Sequence, residues 1–209
     1  MIIKIISGGQ TGVDTGALAA AKQLGIQTGG TAPKGYKTEN GPNLDLKELY
    51  GLVESNSANY KLRTIENIKN SDGTVIFGDI SSVGSQLTIN TCVQLKKPHI
   101  INPSKLQLID WINKKFISVL NCAGNRESVN PGIQERVEKF LTLVFTSKEY
   151  NYIIDLENYL TEAGKSLQIG KSEEDFKNKM VNNKLFQVIN NNNPESLILE
   201  AGYKRGEIK

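Results

Sequence analysis

Residues 7–12 read Ser7-Gly8-Gly9-Gln10-Thr11-Gly12 and lie between an apolar stretch at 2–6 and a helix-forming stretch at 13–24. Strand, glycine turn and helix in that order make an anion pocket. Glycine lets the backbone turn sharply and approach a ligand, while the free N–H groups and positive dipole of the helix start point at it. Phosphate is the expected guest. Two further turns carry the same chemistry. Residues 78–88 bring hydroxyls and the pair Gly84-Ser85 to the start of a second helix, and Ala123-Gly124-Asn125-Arg126-Glu127-Ser128 follows a strand and precedes Pro131, a suitable first helical residue. One such turn is weak evidence of a site; three loops at one edge of a parallel sheet are far more specific. Arg126 offers a bidentate fork to phosphate, and Lys34, in Ala32-Pro33-Lys34-Gly35, offers a point charge unless it is an ordinary solvated loop lysine.

Short β-branched runs alternating with helical patterns must position these loops. Strands are expected at 2–6, 74–77, 99–102 and 116–121, with a weaker one at 27–29; helices are expected at 13–24, 59–70, 85–95, 105–115 and 131–145. The strands show little polar alternation, as in a sheet buried on both faces. The expectation is an α/β, Rossmann-like, doubly wound and mostly parallel sheet with helices on both faces. Residues 30–57 show no clear period and read as a long functional loop. Residues 1–147 form the expected binding domain. Residues 148–209, rich in Lys, Glu and Asn, read as a C-terminal extension with helical periodicity at 152–160 and 174–188 and a loose end after Asn193.

Composition narrows the function. The chain has 209 residues, 38% hydrophobic and 22% charged, with a net charge of +3 spread along it, so nucleic acid is not an expected partner. Two cysteines at no ligand spacing and a single histidine give no metal site and no disulfide framework, which fits a cytoplasmic protein. No apolar run approaches the roughly 18 residues of a membrane span, so no membrane partner is expected. Tyr60, Arg63, Thr64 and Asn67 share one helix face, either a solvated stripe or one wall of a cleft. Asp72 reads as a turn residue, His99 as a structural residue at a strand start, and Cys122 as a small buried residue beside the third loop.

Together, Ser7 to Asp14, Pro33-Lys34-Gly35, Arg63-Thr64 with Asn67, Ser71 to Thr74, and Leu120 to Ser128 with Pro131-Gly132-Ile133 resemble the putative molybdenum carrier family, over about residues 1–145. That family is a circularly permuted branch of the Rossmann-like nucleotide-binding superfamily that also holds the lysine-decarboxylase-like proteins. The resemblance implies a doubly wound parallel sheet, self-association as a homo-oligomer (dimer or tetramer), and binding of a small phosphorylated ligand, the molybdenum cofactor or a nucleotide. Ser7, Gly8, Gly9, Gln10, Thr11, Gly12, Lys34, Gly84, Ser85, Gly124, Arg126 and Ser128 are the expected contacts. Related phosphoribohydrolases use a Pro-Gly-Gly-x-Gly-Thr-x-x-Glu loop. Here the nearest match, Val83 to Thr88, lacks the glutamate and places Val83 where a glycine is expected. A carrier-like binding protein is therefore the leading reading. The alternatives are a nucleotide sensor and a nucleotide-processing enzyme cleaving an N-glycosidic bond, in which Asp14, Asp79 or, best placed, Glu127 would act as general acid or base.

Overall fold

Strands β1 (Lys4–Ile6), β2 (Gln27–Gly29), β7 (Gly73–Phe77), β8 (His99–Ile101) and β9 (Val119–Gly124) build the central sheet of a computed structural model that describes residues 2–151. Between β2 and β7 lie the short strands β3 (Thr31–Ala32), β4 (Lys37–Thr38), β5 (Gly41–Pro42) and β6 (Val53–Glu54). The helices are α1 (Val13–Gln23), α2 (Asp45–Glu48), α3 (Tyr60–Lys69), α4 (Val83–Gln94), α5 (Lys105–Lys114) and α6 (Ile133–Phe145). The five-stranded sheet runs in the order β2-β1-β9-β7-β8 with every pairing parallel. Val75, Ile76 and Leu120 are fully buried, as strands covered on both faces require. Helix α1 packs on α6 and α3 on α4, giving the doubly wound α/β architecture expected from the alternating pattern.

Local chemistry sets the helix starts. Asn59 caps α3 and Ser82 caps α4 through side-chain oxygens, and Ser104 with Gln107 forms a capping box on α5. Several expected bounds move, three of them for a visible reason at α4, α6 and the last strand. Helix α4 starts at Val83 rather than 85, because the Ser82 hydroxyl accepts from the Ser85 N–H at 3.3 Å. Helix α6 starts after Gly132, whose φ of 79° belongs to a turn. The last strand begins at Val119 and extends to Gly124 because Phe116 has φ 54° and ends the preceding helical turn.

Residues 30–57 depart most from expectation. They hold the parallel pair β3–β6, the hairpin β4–β5 and α2, and bury Leu46 and Leu52 against Leu18, Ala32 and Tyr36. Elements of two to four residues are too short to show a period, so they read as a loop. The chain divides into units 1–147 and 148–209. The helical readings at 152–160 and 174–188, and the loose end after Asn193, lie outside the described residues.

Close packing of α1 on α6 depends on Gly16, where a Cβ would stand 2.3 Å from the Gln134 carbonyl oxygen. Gly16→Ala should therefore destabilise the fold by about 1–3 kcal/mol as an overpacking substitution. The opposite sign, from the better helix propensity of alanine, would contradict this packing in calorimetric melting.

Candidate functional site

A cleft of about 410 Å³ opens at the C-terminal edge of the sheet, within the size range of small-molecule sites. Asn121, Ala123 and Gly124 of β9 form its floor, and Gln10 enters after β1. Tyr60, Arg63, Thr64 and Asn67 of α3 make one wall; Ser82, Val83, Gly84, Leu87 and Thr88 of α4 and its cap make another. Asn125, Arg126 and Val129 close it from the loop after β9. The polar stripe on α3 thus faces inward, with Asn67 fixed by two bonds to Thr31, at 2.7 Å to its N–H and 3.0 Å to its carbonyl oxygen.

A buried ion pair supports the polar side. Arg63 Nη1 lies 3.2 Å from Asp14 Oδ2, with the two side chains only 14% and 6% exposed. Asp14 also accepts from the Gln10 N–H at 3.1 Å. Burial lifts the Asp14 carboxyl above its ordinary 3.8, against the opposing pull of Arg63 and the Gln10 N–H. The guanidinium occupies the space where a Gly8 side chain would be: a Cβ there would stand 1.3 Å from Arg63 Nη1. Arg63 Nε and Gln10 Nε2 are buried without a hydrogen-bond partner among the described residues. Such orphaned donors are costly unless something else meets them. Arg126, from the loop after β9, stacks on the same α3 wall, its Cζ 4.9 Å from the Tyr60 ring centroid.

Helix α4 presents its N-terminus to the cleft. Ser82 caps Ser85 N–H, whereas the Val83 and Gly84 N–H groups have no partner within the described residues. A Cβ on Gly84 would meet nothing within 4 Å, and Val83 is 88% exposed, so this helix end is open. Asn125 ties the loops together. Its amide donates to the Asp79 carbonyl and to Ser82 Oγ, both at 3.0 Å, while its oxygen accepts from the Asp79 N–H.

Of the twelve expected contacts, Gln10, Gly84, Gly124 and Arg126 line this cleft; Ser7, Gly8, Gly9, Thr11, Gly12, Lys34, Ser85 and Ser128 do not. Gly8 and Gly9 are covered by Arg63 and by Leu46 with Leu52, and Val13 N–H at the start of α1 donates to the Asn125 carbonyl at 3.1 Å. Ser85 is buried and bonded to Ser82, and Lys34 is exposed away from the cleft. Thr11 and Ser128 instead bind the Glu39 carboxylate: both hydroxyls donate to it, and the Ser128 N–H donates at 3.3 Å. Burial opposes the charge of Glu39, but the bonds from Ser128 and Thr11 and the nearby Arg126 outweigh it and hold the carboxyl below its ordinary 4.5.

Two of the candidate general acids have structural partners. Glu127 accepts from the Gly132 and Gln134 N–H groups at the start of α6. Asp79 accepts from the Ser81 N–H at 2.8 Å. Asp72, expected as a turn residue, accepts from the Ser118 and Val119 N–H groups. Both cysteines are free and buried, and burial pushes each thiol above its usual range. Sequence reasoning found the α3 stripe by its helical spacing. It missed Glu39, which no pattern marks, and the Arg63–Asp14 pair, which joins residues far apart in the chain.

Residues 5–145 match the circularly permutated YpsA SLOG family. The chain is also similar to a crystal structure whose title names a putative molybdenum carrier protein from Syntrophus aciditrophicus SB, with 37% identity and a TM-score of 0.63, over 70% of this chain and 96% of that one. No curated protein matches.

Two outcomes test this geometry. Arg63→Met strands a buried carboxyl and should cost about 3 kcal/mol in chemical denaturation; a midpoint equal to wild type would mean that the pair is not formed. For Glu39 the folded pKa is depressed, so its stabilising contribution is present above the unfolded pKa and is lost as pH falls through the folded one. The Ser128 amide resonance should therefore shift in a single step whose midpoint lies below the ordinary 4.5. Glu39→Gln should abolish that step, and a step at or above 4.5 would contradict the bond.

Proposed function

The chain belongs to the circularly permutated YpsA SLOG family, and on that premise we propose that it is a carrier-like protein that holds a phosphorylated heterocyclic ligand in this cleft. The observation that carries the reading is a set of donors without partners around a partly apolar space. The Val83 and Gly84 N–H groups stand at the open start of α4, and Gln10 Nε2 and Arg63 Nε have no partner among the described residues. Arg126 adds a guanidinium on the cleft wall. Helix-end N–H groups beside an arginine fork suit phosphate oxygens, and the dipole of α4 adds to the attraction. Beside them, Val83, Leu87 and Val129 give a flat ring system apolar surface to lie against.

The residues fit a phosphorylated pterin as well as they fit a nucleotide. The name carried by the Syntrophus aciditrophicus protein puts the molybdenum cofactor first among ligands to try, as cargo held by phosphate and ring. Binding needs no proton transfer from the protein. Of the expected contacts, Gln10, Gly84, Gly124 and Arg126 would touch the ligand, with Arg63 added from α3. Ser7, Gly8, Gly9, Gly12 and Ser85 would shape the frame behind them.

A thermal-shift comparison of molybdenum cofactor, molybdate, AMP, ADP-ribose and NAD tests the proposal. A true ligand at 100 times its dissociation constant should stabilise the fold by about 2.7 kcal/mol. Arg126→Met should leave the unliganded melting temperature near wild type and weaken that ligand about tenfold or more, the usual loss for a charge-assisted bond. If none of the compounds shifts the melting temperature, the reading fails.

A further inference from the structure

Glu39 sits at the tip of the β4–β5 hairpin and reaches across to residues of two other loops. Its carboxylate takes the Thr11 hydroxyl, the Ser128 hydroxyl and the Ser128 N–H, the last at 3.3 Å, with the Arg126 charge beside it. Two hydroxyls and a backbone N–H converging on one pair of oxygens, with the Arg126 charge nearby, form a general oxyanion site, suited equally to carboxylate and phosphate. This site adjoins the cleft. Arg126 belongs to both, and Val129, the neighbour of Ser128, lines the cleft wall. Gln10 spans the two: its Oε1 accepts from the Glu39 N–H at 2.8 Å, and the residue also lines the cleft.

We propose that the pocket filled by Glu39 is a second oxyanion subsite of the cleft, and that the ligand it serves carries two phosphate groups, the distal one displacing the Glu39 carboxylate. The inference rests on the reading of the cleft as a site for a phosphorylated ligand. Opening the subsite needs only the rotation of one side chain at a hairpin tip, since β4 and β5 pair through Lys37↔Pro42 and Thr38↔Gly41 without it. Glu39 then acts as an internal competitor. A ligand with one phosphate leaves it in place, and a ligand with two must exchange with it.

Calorimetric titration with AMP, ADP and inorganic pyrophosphate separates these ideas. Removing the competitor in Glu39→Gln should tighten ADP and pyrophosphate about tenfold and leave AMP unchanged, as expected when the competent state becomes fully populated. Glu39→Ala should act in the same direction, and Ser128→Ala in either background should bring ADP down to the affinity of AMP. If AMP binds but ADP gains nothing in the Glu39 variants, the subsite is overturned and the cleft reading stands. If pyrophosphate tightens while AMP does not bind, the subsite stands and the heterocycle reading falls. If no probe binds any variant, both are overturned; should the Glu39 variants fail to fold, Ser128→Ala alone must still weaken ADP and spare AMP.

Discussion

The ion pair between Arg63 and Asp14 is the constraint around which the cleft is arranged. Both groups are almost fully buried, 3.2 Å apart, and the desolvation of two such groups rarely yields net stability. Its effect is geometric. Asp14 lies in the first turn of α1, where a carboxylate suits the helix dipole, and Arg63 projects from the middle of α3. Joining them fixes the distance between these helices and thereby the width of the cleft. The approach is possible only because position 8 has no side chain, the guanidinium resting against the glycine α-carbon.

That arrangement reassigns the work of the first turn. In a phosphate-binding turn the N–H groups at the start of the helix face the ligand; here Val13 N–H goes to Asn125 and Gln10 N–H goes to Asp14. The Gly9, Gln10, Thr11 and Val13 N–H groups are thus taken by protein acceptors, while those of Gly8 and Gly12 have none among the described residues. Further open donors lie at α4, whose Ser82 cap leaves Val83 and Gly84 N–H without a partner among the described residues. Asn125 couples the two ends, since its carbonyl holds α1 while its side chain holds Asp79 and Ser82. The exposed Val83 also changes meaning. At the rim of an open helix end it is apolar surface beside free donors, useful to a ligand with both a ring and a phosphate.

How far the sequence discloses this depends on the length scale of each feature. The strands at 74–77 and 99–101 and the helices after them are legible because each is a continuous apolar or 3.6-periodic run. The segment 30–57 is not, because its strands are too short to establish a period and its core is completed by Leu18 from α1. The α3 stripe announces a polar face through the spacing of Tyr60, Arg63, Thr64 and Asn67, yet nothing local says whether it meets water or protein. Only Asp14, 49 positions away, decides that. Glu39 is harder still. Its partners Thr11 and Ser128 were visible as hydroxyls in candidate binding turns, but the carboxylate between them comes from a hairpin without a motif.

The same hydrogen bonds bear on what the cleft can do chemically. Glu127, Asp79, Asp72 and Glu39 each accept from backbone N–H groups, which gives each a structural role. Among the described residues Asp14 is the one carboxyl on the cleft wall, and burial moves it in the direction a general acid needs. Its Oδ2, however, holds both Arg63 and the Gln10 N–H. Moving a proton at that oxygen would weaken the contact that places α3 against the first turn and leave a buried guanidinium without its counter-charge. Proton transfer by Asp14 and maintenance of the cleft therefore oppose each other, whereas gripping a phosphate through α4, Gln10 and Arg126 leaves the pair undisturbed.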